Sequence, residues 1–529
     1  MKRVLIATVL LAISGFGCQW CSEMCAPKAN ATKFSVNPLF TSEMVLQREM
    51  RVPVWGKGVP GEVIAVQIDN KKYTATVGKY GKWMLKTREL TVGGPYMMRI
   101  SGAEKIITLK NILSGDVWIC SGQSNMSFRV MSCKDAKKEI AAANYPNIRL
   151  FSVKRAVSAK PLDTVKGKWA KCSPATVKYF SAVGYFFGRD LYKSLKTVPI
   201  GLIHTSWGGT PAEAWTRHDY LDAEPMLKEI FIRHEKRLDA FPKNLEKYKK
   251  EIAAYKKKIA ELRKSKTKAQ KRLRRPHYPY HAKHPHRPSG LYNAMINPLL
   301  PYGIKGAIWY QGESNAGRAF QYRTLLPAMI NSWREAWDQG DFPFLIVELA
   351  NYTPAKDHPV NSSWAELREA QNMTAAQLSA CGVASAIDIG EARDIHPKNK
   401  QDVGKRLQLA ALKIAYGKDI VFSGPTYKSS KIEGNKIILT FDNVGGGLRA
   451  HNGNLQRFAI AGKDKKFIWA RAVIKGSTVI VSNSRVKNPV AVRYAWSNNP
   501  EGCNLYNKEE LPAIPFRTDT WKGVTYKNR

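Results

Sequence analysis

From residue 114 to about residue 420, short apolar runs alternate with longer stretches of helical periodicity. The helical stretches lie around 182–194, 291–299, 322–337, 364–379 and 402–416. Five runs between or beside them have the length and composition of buried strands: 117–120, 199–205, 304–310, 344–349 and 383–388. Such alternation predicts a parallel sheet covered by helices on both faces. In a sheet of this kind, ligands bind beyond the carboxyl ends of the strands.

The segments on either side of this region have a different pattern. Residues 32–113 and 421–529 contain short runs in which apolar and polar residues alternate, and turn residues separate the runs. Period-two patterning of this kind is typical of antiparallel sheets. The sequence therefore predicts an α/β catalytic domain at 114–420 between an N-terminal and a C-terminal antiparallel β domain.

The first 31 residues look like a secretory signal peptide with an uncertain cleavage site. Met1, Lys2 and Arg3 precede an apolar run that is too short to span a membrane. We therefore expect no transmembrane segment and an exported protein that is periplasmic, secreted or lipid-anchored at the cell surface. Export permits disulfides, and Cys133 with Cys172 is one pair that the sequence allows without fixing it.

An insertion at about 227–288 interrupts the strand–helix alternation. Apolar residues at 245, 248, 252, 255, 259 and 262 follow a heptad-like seam on a helix rich in Lys and Arg. The whole chain is also basic, with 84 Lys and Arg against 42 Asp and Glu, a net charge of +42. This charge favours an acidic polysaccharide or an anionic surface as a partner, and an ordinary solvated helix has the same pattern. No specific nucleic-acid partner is expected. The histidines of 276–288 lack regular metal-ligand spacing, and neither a metal nor another cofactor is predicted.

Ser124 occupies the turn that follows the first predicted strand, in the sequence Ser-Gly-Gln-Ser-Asn-Met. A serine on a strand-to-helix turn is exposed at the open end of a sheet, as an acyl-transfer nucleophile must be. Such turns are also common as plain structure. The decisive question is whether the other groups of an acyl-transfer site follow other strands.

Three further motifs do follow strand ends. Gly208 and Gly209 come after the second run, and glycines let a backbone N–H approach a ligand closely. Asn315 comes after the third run and supplies an amide donor for a developing negative charge. His396 comes after the last run and supplies a base. Together the four motifs match the components of an acyl-transfer site.

At these motifs the chain resembles the sialate O-acetylesterase-like carbohydrate esterases of the SGNH hydrolase superfamily. Gly-Gln-Ser-Asn-Met, Trp-Gly-Gly-Thr-Pro-Ala-Glu-Ala-Trp, Tyr-Gln-Gly-Glu-Ser-Asn and Asp-Ile-His-Pro carry the Ser, Gly, Asn and His positions. The resemblance extends over most of the mature chain except the basic insertion. It implies a three-layer α/β/α, flavodoxin-like catalytic domain and a cofactor-independent serine esterase that removes acetyl groups from carbohydrates.

The resemblance also implies roles for individual residues. Ser124 is the nucleophile and His396 the base, and the oxyanion is held by the N–H groups of Ser124 and Gly208 and by Asn315, with Gly209 as the second choice. Substrate binding is expected from polar residues near the motifs: Gln123, Gln311, Glu313, Arg368 and Gln371.

The carboxylate behind His396 departs from the superfamily pattern. An Asp usually stands three residues before the His, but Arg393 occupies that position here. We predict Asp394, because two-residue spacing in an extended segment puts both side chains on one side. Asp388 and Glu391 are also near, and a dyad with a backbone carbonyl remains open.

Three alternatives concern the activity itself. The substrate is an O-acetylated sialate, an acetylated xylan or another acetylated polysaccharide, or the chain is a non-catalytic protein that binds acidic glycans.

Overall fold

The computed structural model describes residues 33–264 and 273–529. The predicted signal peptide, residues 1–31, lies outside the described residues. In the described ranges no helix is both long and apolar enough to cross a membrane. The cysteines of these ranges are free thiols, so a disulfide between Cys133 and Cys172 is not formed.

The N-terminal region is built from short strands. Val45–Gln47 is parallel to its neighbour, and the other strands are antiparallel, as the period-two pattern predicted. Its strands are β1 (Ser35–Val36), β2 (Val45–Gln47), β3 (Pro53–Lys57), β4 (Val63–Ile68), β5 (Lys71–Thr76), β6 (Lys82–Lys86), β7 (Gly93–Ser101) and the first part of β8 (Ile106–Gly122). Strands β1, β3 and β6 form a separate three-stranded sheet, and β4, β5 and β7 pair in an antiparallel arrangement that continues into β8.

Strand β8 is 17 residues long and crosses the predicted domain boundary at residue 114. Its first part, residues 106–114, pairs with β7, and residues 116–122 pair with the parallel strands of the next region. From Ile112 onward every residue of β8 is buried, whereas most residues before it are exposed or half-exposed. The sequence pattern changes at this point because the strand passes from a surface sheet into the molecular core.

The central sheet has the order β10-β9-β11-β8-β12-β13-β14. Its remaining strands are β9 (Tyr145–Ser152), β10 (Trp169–Cys172), β11 (Ile200–Ser206), β12 (Gly306–Tyr310), β13 (Phe344–Val347) and β14 (Cys381–Ala384). Only the edge strand β10 is antiparallel to its neighbour. The first four predicted strands are confirmed. The fifth, predicted at 383–388, is β14, which begins at Cys381 and ends at Ala384. Strands β9 and β10 were not predicted.

Helices cover both faces of this sheet. The helices are α1 (Ser124–Ser127), α2 (Ala136–Ala141), α3 (Pro174–Val177), α4 (Ala182–Leu195), α5 (His218–Ala223), α6 (Glu229–Asp239), α7 (Phe241–Lys264), α8 (Ala319–Trp337), α9 (Ser363–Gln377) and α10 (Gln401–Ile414). Trp118 of β8 contacts Phe187 of α4, and Trp309 of β12 contacts Trp333 of α8. Side chains alternate between the two faces along β8, so Ser121 points away from the face of Trp118. Trp309 pairs with Ser121 and therefore points to the face opposite Trp118.

The predicted basic insertion contains α6 and α7, separated by one residue. On α7 the seam residues 245, 248, 252, 255 and 259 are half-buried, and the residues between them are exposed. The heptad pattern therefore describes the less exposed face of this helix. In the described residues no cluster of His, Cys, Asp or Glu has the geometry of a metal site.

The C-terminal region consists of antiparallel sheets, as predicted. Its strands are β15 (Thr426–Glu433), β16 (Lys436–Asp442), β17 (Leu448–Ala450), β18 (Phe458–Ala461), β19 (Ile468–Trp469), β20 (Arg471–Lys475), β21 (Thr478–Ser482), β22 (Ala491–Tyr494), β23 (Leu505–Asn507) and β24 (Phe516–Arg517). They form two four-stranded sheets, β15-β16-β21-β20 and β19-β18-β22-β24, and the pair β17-β23.

Candidate active site

Ser124 is the first residue of α1 and follows the end of β8 directly. The turn between them requires glycine at position 122, which has a φ of +137° and whose Cβ, if present, would lie 2.1 Å from the Tyr310 carbonyl oxygen. Gln123 N–H donates to that same carbonyl at 2.9 Å. As a first helical residue, Ser124 has an N–H without a partner inside the helix. The serine is half-buried, so its hydroxyl stays within reach of a ligand.

The glycine loop after β11 lies directly against Ser124. A Cβ placed on Gly208 would be 3.2 Å from the Cβ of Ser124, so a larger residue there would crowd the nucleophile. Trp207 N–H donates to the Gly122 carbonyl at 3.1 Å, and the Thr210 hydroxyl donates to the Trp207 carbonyl at 2.7 Å. These bonds fix the Gly208 backbone beside the turn of Ser124. Gly209 adopts the left-handed conformation, with a φ of +76°.

Asn315 lies in a short 3-10 helix, Glu313–Arg318, after β12 and is buried. Its Oδ1 accepts from Ala212 N–H at 2.9 Å and from Gln311 Nε2 at 2.7 Å, which fixes the orientation of the amide. One N–H of its Nδ2 donates to Glu213 Oε2 at 2.8 Å. An amide nitrogen carries two N–H groups, so the second one can serve an oxyanion.

The Glu213 carboxylate that anchors Asn315 is itself held in its ionised form. Burial acts to raise the pKa of Glu213, but the charge of Arg318 and the hydrogen bond from Asn315 outweigh it, so the pKa is below its usual value. Arg318 Nη2 contacts Glu213 Oε1 at 2.9 Å. An ionised Glu213 accepts the first Asn315 N–H and leaves the second in a fixed direction.

His396 lies on the segment after β14, and its neighbours are joined to the nucleophile turn. Asn125 Nδ2 donates to the Ile395 carbonyl at 3.0 Å, which links the residue after Ser124 to the residue before His396. The Phe128 ring stacks on the imidazole with ring centroids 6.4 Å apart. The four predicted motifs are therefore brought to the same edge of the sheet.

Asp394 is the carboxylate that faces His396. Its Oδ1 lies 3.5 Å from His396 Nδ1 and accepts the backbone N–H of His396 at 2.9 Å. Asp388 is occupied elsewhere, because both its oxygens contact Arg406, at 2.6 and 2.8 Å. Glu391 Oε1 accepts the Lys398 N–H at 2.9 Å. With Asp394 on the Nδ1 side of the ring, Nε2 is the nitrogen left for a serine proton.

The predicted substrate-binding residues lie inside the protein framework around the site. Gln123 Oε1 accepts the N–H groups of Gly312 and Ser314 at 3.4 and 3.3 Å. Gln311 and Gln371 are fully buried, and Gln371 Nε2 donates to the Gln311 carbonyl at 2.9 Å. These three residues hold the loops in place, and their bonded polar groups do not face a ligand.

Arg368 and Glu313 depart from the substrate-binding prediction in different ways. Arg368 is fully buried and donates to the carbonyls of Leu349, Ala350, Ser497 and Asn498, so it joins α9 to the C-terminal region and does not reach the site. Glu313 does lie at the site, where its Oε1 accepts from Asn125 Nδ2 at 2.6 Å. The hydrogen bond of Glu313 is therefore with another side chain of the protein.

Comparison with known proteins places this geometry in a family. A family model described as "Carbohydrate esterase, sialic acid-specific acetylesterase" matches residues 114–269 and 282–413. The chain belongs to this family. The matched ranges contain the Ser124, Gly208, Asn315 and His396 motifs.

Relatives of known name extend the likeness over the β regions. The chain is 30% identical to the sialate O-acetylesterase of Homo sapiens, covering 93% of this chain and 94% of that protein, and 31% identical to that of Rattus norvegicus, covering 91% and 94%. Among solved structures, it is similar to a carbohydrate acetylesterase from Xanthomonas citri, with a TM-score of 0.78 and 38% identity over 92% of this chain and all of that one.

As a member of the carbohydrate esterase family, the chain is a carboxylic ester hydrolase that removes O-acetyl groups from carbohydrates. The alternative of a purely glycan-binding protein is thereby set aside. Sequence reasoning missed Asn125, which is bonded to the His396 segment, and Glu213, which is bonded to Asn315. Both lie inside motifs that the sequence analysis quoted, and that position was the signal that could have found them.

Proposed function

We propose that the chain is a sialate O-acetylesterase that works through an acetyl-enzyme on Ser124. His396 Nε2 takes the proton of the Ser124 hydroxyl, and the oxygen attacks the acetyl carbonyl. The tetrahedral intermediate then breaks its bond to the sugar oxygen, which receives the proton from His396. Water repeats the sequence on the acetyl-enzyme and releases acetate. The observation that carries this proposal is the placement of Gly208 against Ser124, on a turn joined to the segment of His396 by Asn125.

In this mechanism the negative charge of the intermediate is held by three donors. They are the N–H groups of Ser124 and Gly208 and the second N–H of Asn315. Loss of one such donor typically lowers kcat by about 100- to 1000-fold. The hydrogen bonds that orient Asn315 and the glycine loop join groups of the protein itself, so the donors need little rearrangement during the reaction.

Asp394→Asn is expected to lower kcat by roughly 10- to 1000-fold, less than the roughly 10,000-fold loss known for a buried triad Asp. Asp394 is 47% exposed, and solvent weakens its effect on His396. The measurement is kcat with p-nitrophenyl acetate, and Glu391→Gln is the matched control on the same segment. A rate within a few-fold of wild type would mean that His396 works in a dyad oriented by a backbone carbonyl.

Two arginines beside the nucleophile helix favour an acidic sugar as the substrate. The Arg155 guanidinium lies 5.5 Å from the Trp207 ring centroid, and its Nη2 is 3.4 Å from the hydroxyl of Ser127, one helical turn from Ser124. Burial and the nearby charge of Arg129 lower the pKa of Arg155, and in the described residues neither arginine is paired with a carboxylate. An aromatic ring beside unpaired guanidinium groups suits a sugar that carries a carboxylate.

The substrate is tested by acetate release from O-acetylated sialic acids, acetylated xylans and a neutral acetylated sugar. We expect the highest kcat/KM with the sialates, and Arg155→Gln should raise KM for them alone. Higher activity on xylan in the wild type would instead support the polysaccharide acetylesterase. Hydrolysis of p-nitrophenyl acetate by the same variant controls for damage to Ser124.

Export and polyanion binding are further parts of the proposal. The exposed Lys-rich face of α7 supports binding of an acidic polysaccharide through the insertion. Such binding should weaken steeply as the salt concentration is raised. Retention on an acidic polysaccharide resin that does not change with salt concentration would contradict it.

A further inference from the structure

A chain of polar side chains lies beneath the nucleophile turn and takes no part in the mechanism above. Lys400 Nζ donates to Asn125 Oδ1 at 2.7 Å, and Asn125 Nδ2 donates to Glu313 Oε1 at 2.6 Å. Lys400 is fully buried, four residues after His396. A buried ammonium is costly unless it is paired, so its place here calls for a compensating function or partner.

The cation and the carboxylate fix the orientation of the Asn125 amide. Lys400 can only donate, so it selects the amide oxygen, and the Glu313 carboxylate can only accept, so it selects the nitrogen. The second N–H of that nitrogen then points to the Ile395 carbonyl at 3.0 Å. An amide flipped by half a turn would face two repulsive contacts and would lose the bond to Ile395.

The surroundings of Lys400 are aromatic and acidic. Its Nζ lies 4.9 Å from the Phe128 ring centroid and 5.4 Å from that of Tyr310, and Phe128 stacks on His396. Burial lowers the pKa of Lys400 to about 7, against the opposing charges of Glu313, Glu391 and Asp394.

The other titratable groups around Lys400 behave differently over the working pH range. Burial raises the pKa of Glu313, while the hydrogen bond from Asn125 and the charge of Lys400 oppose that rise. Burial also raises the pKa of Cys133 to about 11 and moves the pKa of Tyr310 far above its usual value, so both keep their protons near neutral pH. Lys400 therefore changes charge around neutral pH, where Cys133 and Tyr310 stay uncharged.

We propose that Lys400 is a positioning residue of the esterase, which acts through Asn125 and against Glu313 to hold the His396 segment on the turn of Ser124. The proposal rests on the roles assigned above to Ser124 and His396. It gives Lys400 no contact with substrate. Its effect is on the alignment of base and nucleophile, and a small displacement of reacting groups can cost about 100-fold in rate.

The first test is the variant Lys400→Gln, which keeps a donor but removes the charge. We expect kcat for p-nitrophenyl acetate to fall roughly 10- to 100-fold while KM stays within about 3-fold. Lys398→Gln, an exposed lysine on the same segment, is the matched control and should behave as wild type. Wild-type kcat in Lys400→Gln would overturn the proposal.

The second test is the pH profile, which a purely structural role would not change. Lys400 is charged below about pH 7 and neutral above it, so its fixing of Asn125 weakens as pH rises. In wild type, kcat should decline as the pH rises from about 6 to about 8, around the pKa of Lys400, and this decline should be absent in Lys400→Gln. An unchanged alkaline decline in the variant would contradict the proposal.

A double-mutant cycle guards against misfolded variants. Glu313→Gln leaves Lys400 buried without its carboxylate, whereas Glu313→Gln combined with Lys400→Gln removes both charges. We expect the double variant to lose less activity than the product of the two single losses, and strictly multiplicative losses would refute the coupling. Labelling of Ser124 by a fluorophosphonate separates the two proposals. An unlabelled wild type refutes the serine mechanism, whereas labelling of Lys400→Gln at the wild-type rate refutes only the role of Lys400.

Discussion

The Ser124→Ala variant should lose nearly all esterase activity, with kcat reduced about a million-fold as in other serine hydrolases that lose the nucleophile. The physical reason is that, in the proposed mechanism, Ser124 supplies the oxygen that attacks the acetyl carbonyl. The remaining activity would come from the oxyanion donors acting on water. Acetate release and p-nitrophenyl acetate hydrolysis both measure this loss.

The control for Ser124→Ala is Ser132→Ala, which changes an exposed serine shortly after the nucleophile helix. Its activity should equal that of the wild type. The melting curve of Ser124→Ala should also match the wild type, because the hydroxyl of a half-buried serine contributes little to stability. If Ser124→Ala retained even a hundredth of the wild-type rate, the acetyl-enzyme mechanism would be wrong.

The largest effect on stability is expected from Arg368→Met. This change would remove one donor from each of the carbonyls of Leu349, Ala350, Ser497 and Asn498, and it would remove the positive charge that faces Glu348. Breaking a buried charge network from one side typically costs about 3–5 kcal/mol. Burial lowers the pKa of Arg368 to about 10, so the side chain is still charged at neutral pH.

Arg368→Met is best measured by its apparent melting temperature and by limited proteolysis between α9 and the C-terminal sheets. Arg449→Met is the control, since Arg449 forms only an exposed ion pair with Glu510, and it should change the melting temperature little. Equal melting temperatures for the two variants would show that the four carbonyls find other donors when Arg368 is absent.

The catalytic core of the fold was predictable because its signals are local. The strands that carry Ser124, Gly208 and Asn315 are continuous apolar runs, and glycine or polar motifs follow each of them. Strand β9 and the edge strand β10 beside it were missed because polar residues, among them the buried Arg149 of β9, interrupt their apolar runs. Strand pairing at a sheet edge depends on neighbours that are distant in sequence.

The assignment of polar residues was less predictable than the fold. Arg368 was predicted to bind substrate, but its hydrogen bonds to the carbonyls of residues 497 and 498 direct it away from the site. Lys400 resembles a solvated residue in a basic loop, and its burial follows from contacts with Asn125 and Phe128. Long-range contacts determine which polar groups face a ligand, and these contacts produce no periodic pattern in the sequence.

The continuous strand β8 has a consequence for how this enzyme can be divided. A fragment that began at residue 114 would cut β8 between the part paired with β7 and the part that ends at Ser124. Leu113 and Ser114 also pair with Val45 and Leu46 of β2, so the cut would strip a neighbour from the strand that carries the nucleophile. The N-terminal strands thus support the strand that leads to Ser124. A shortened enzyme that keeps its activity will have to retain these strands.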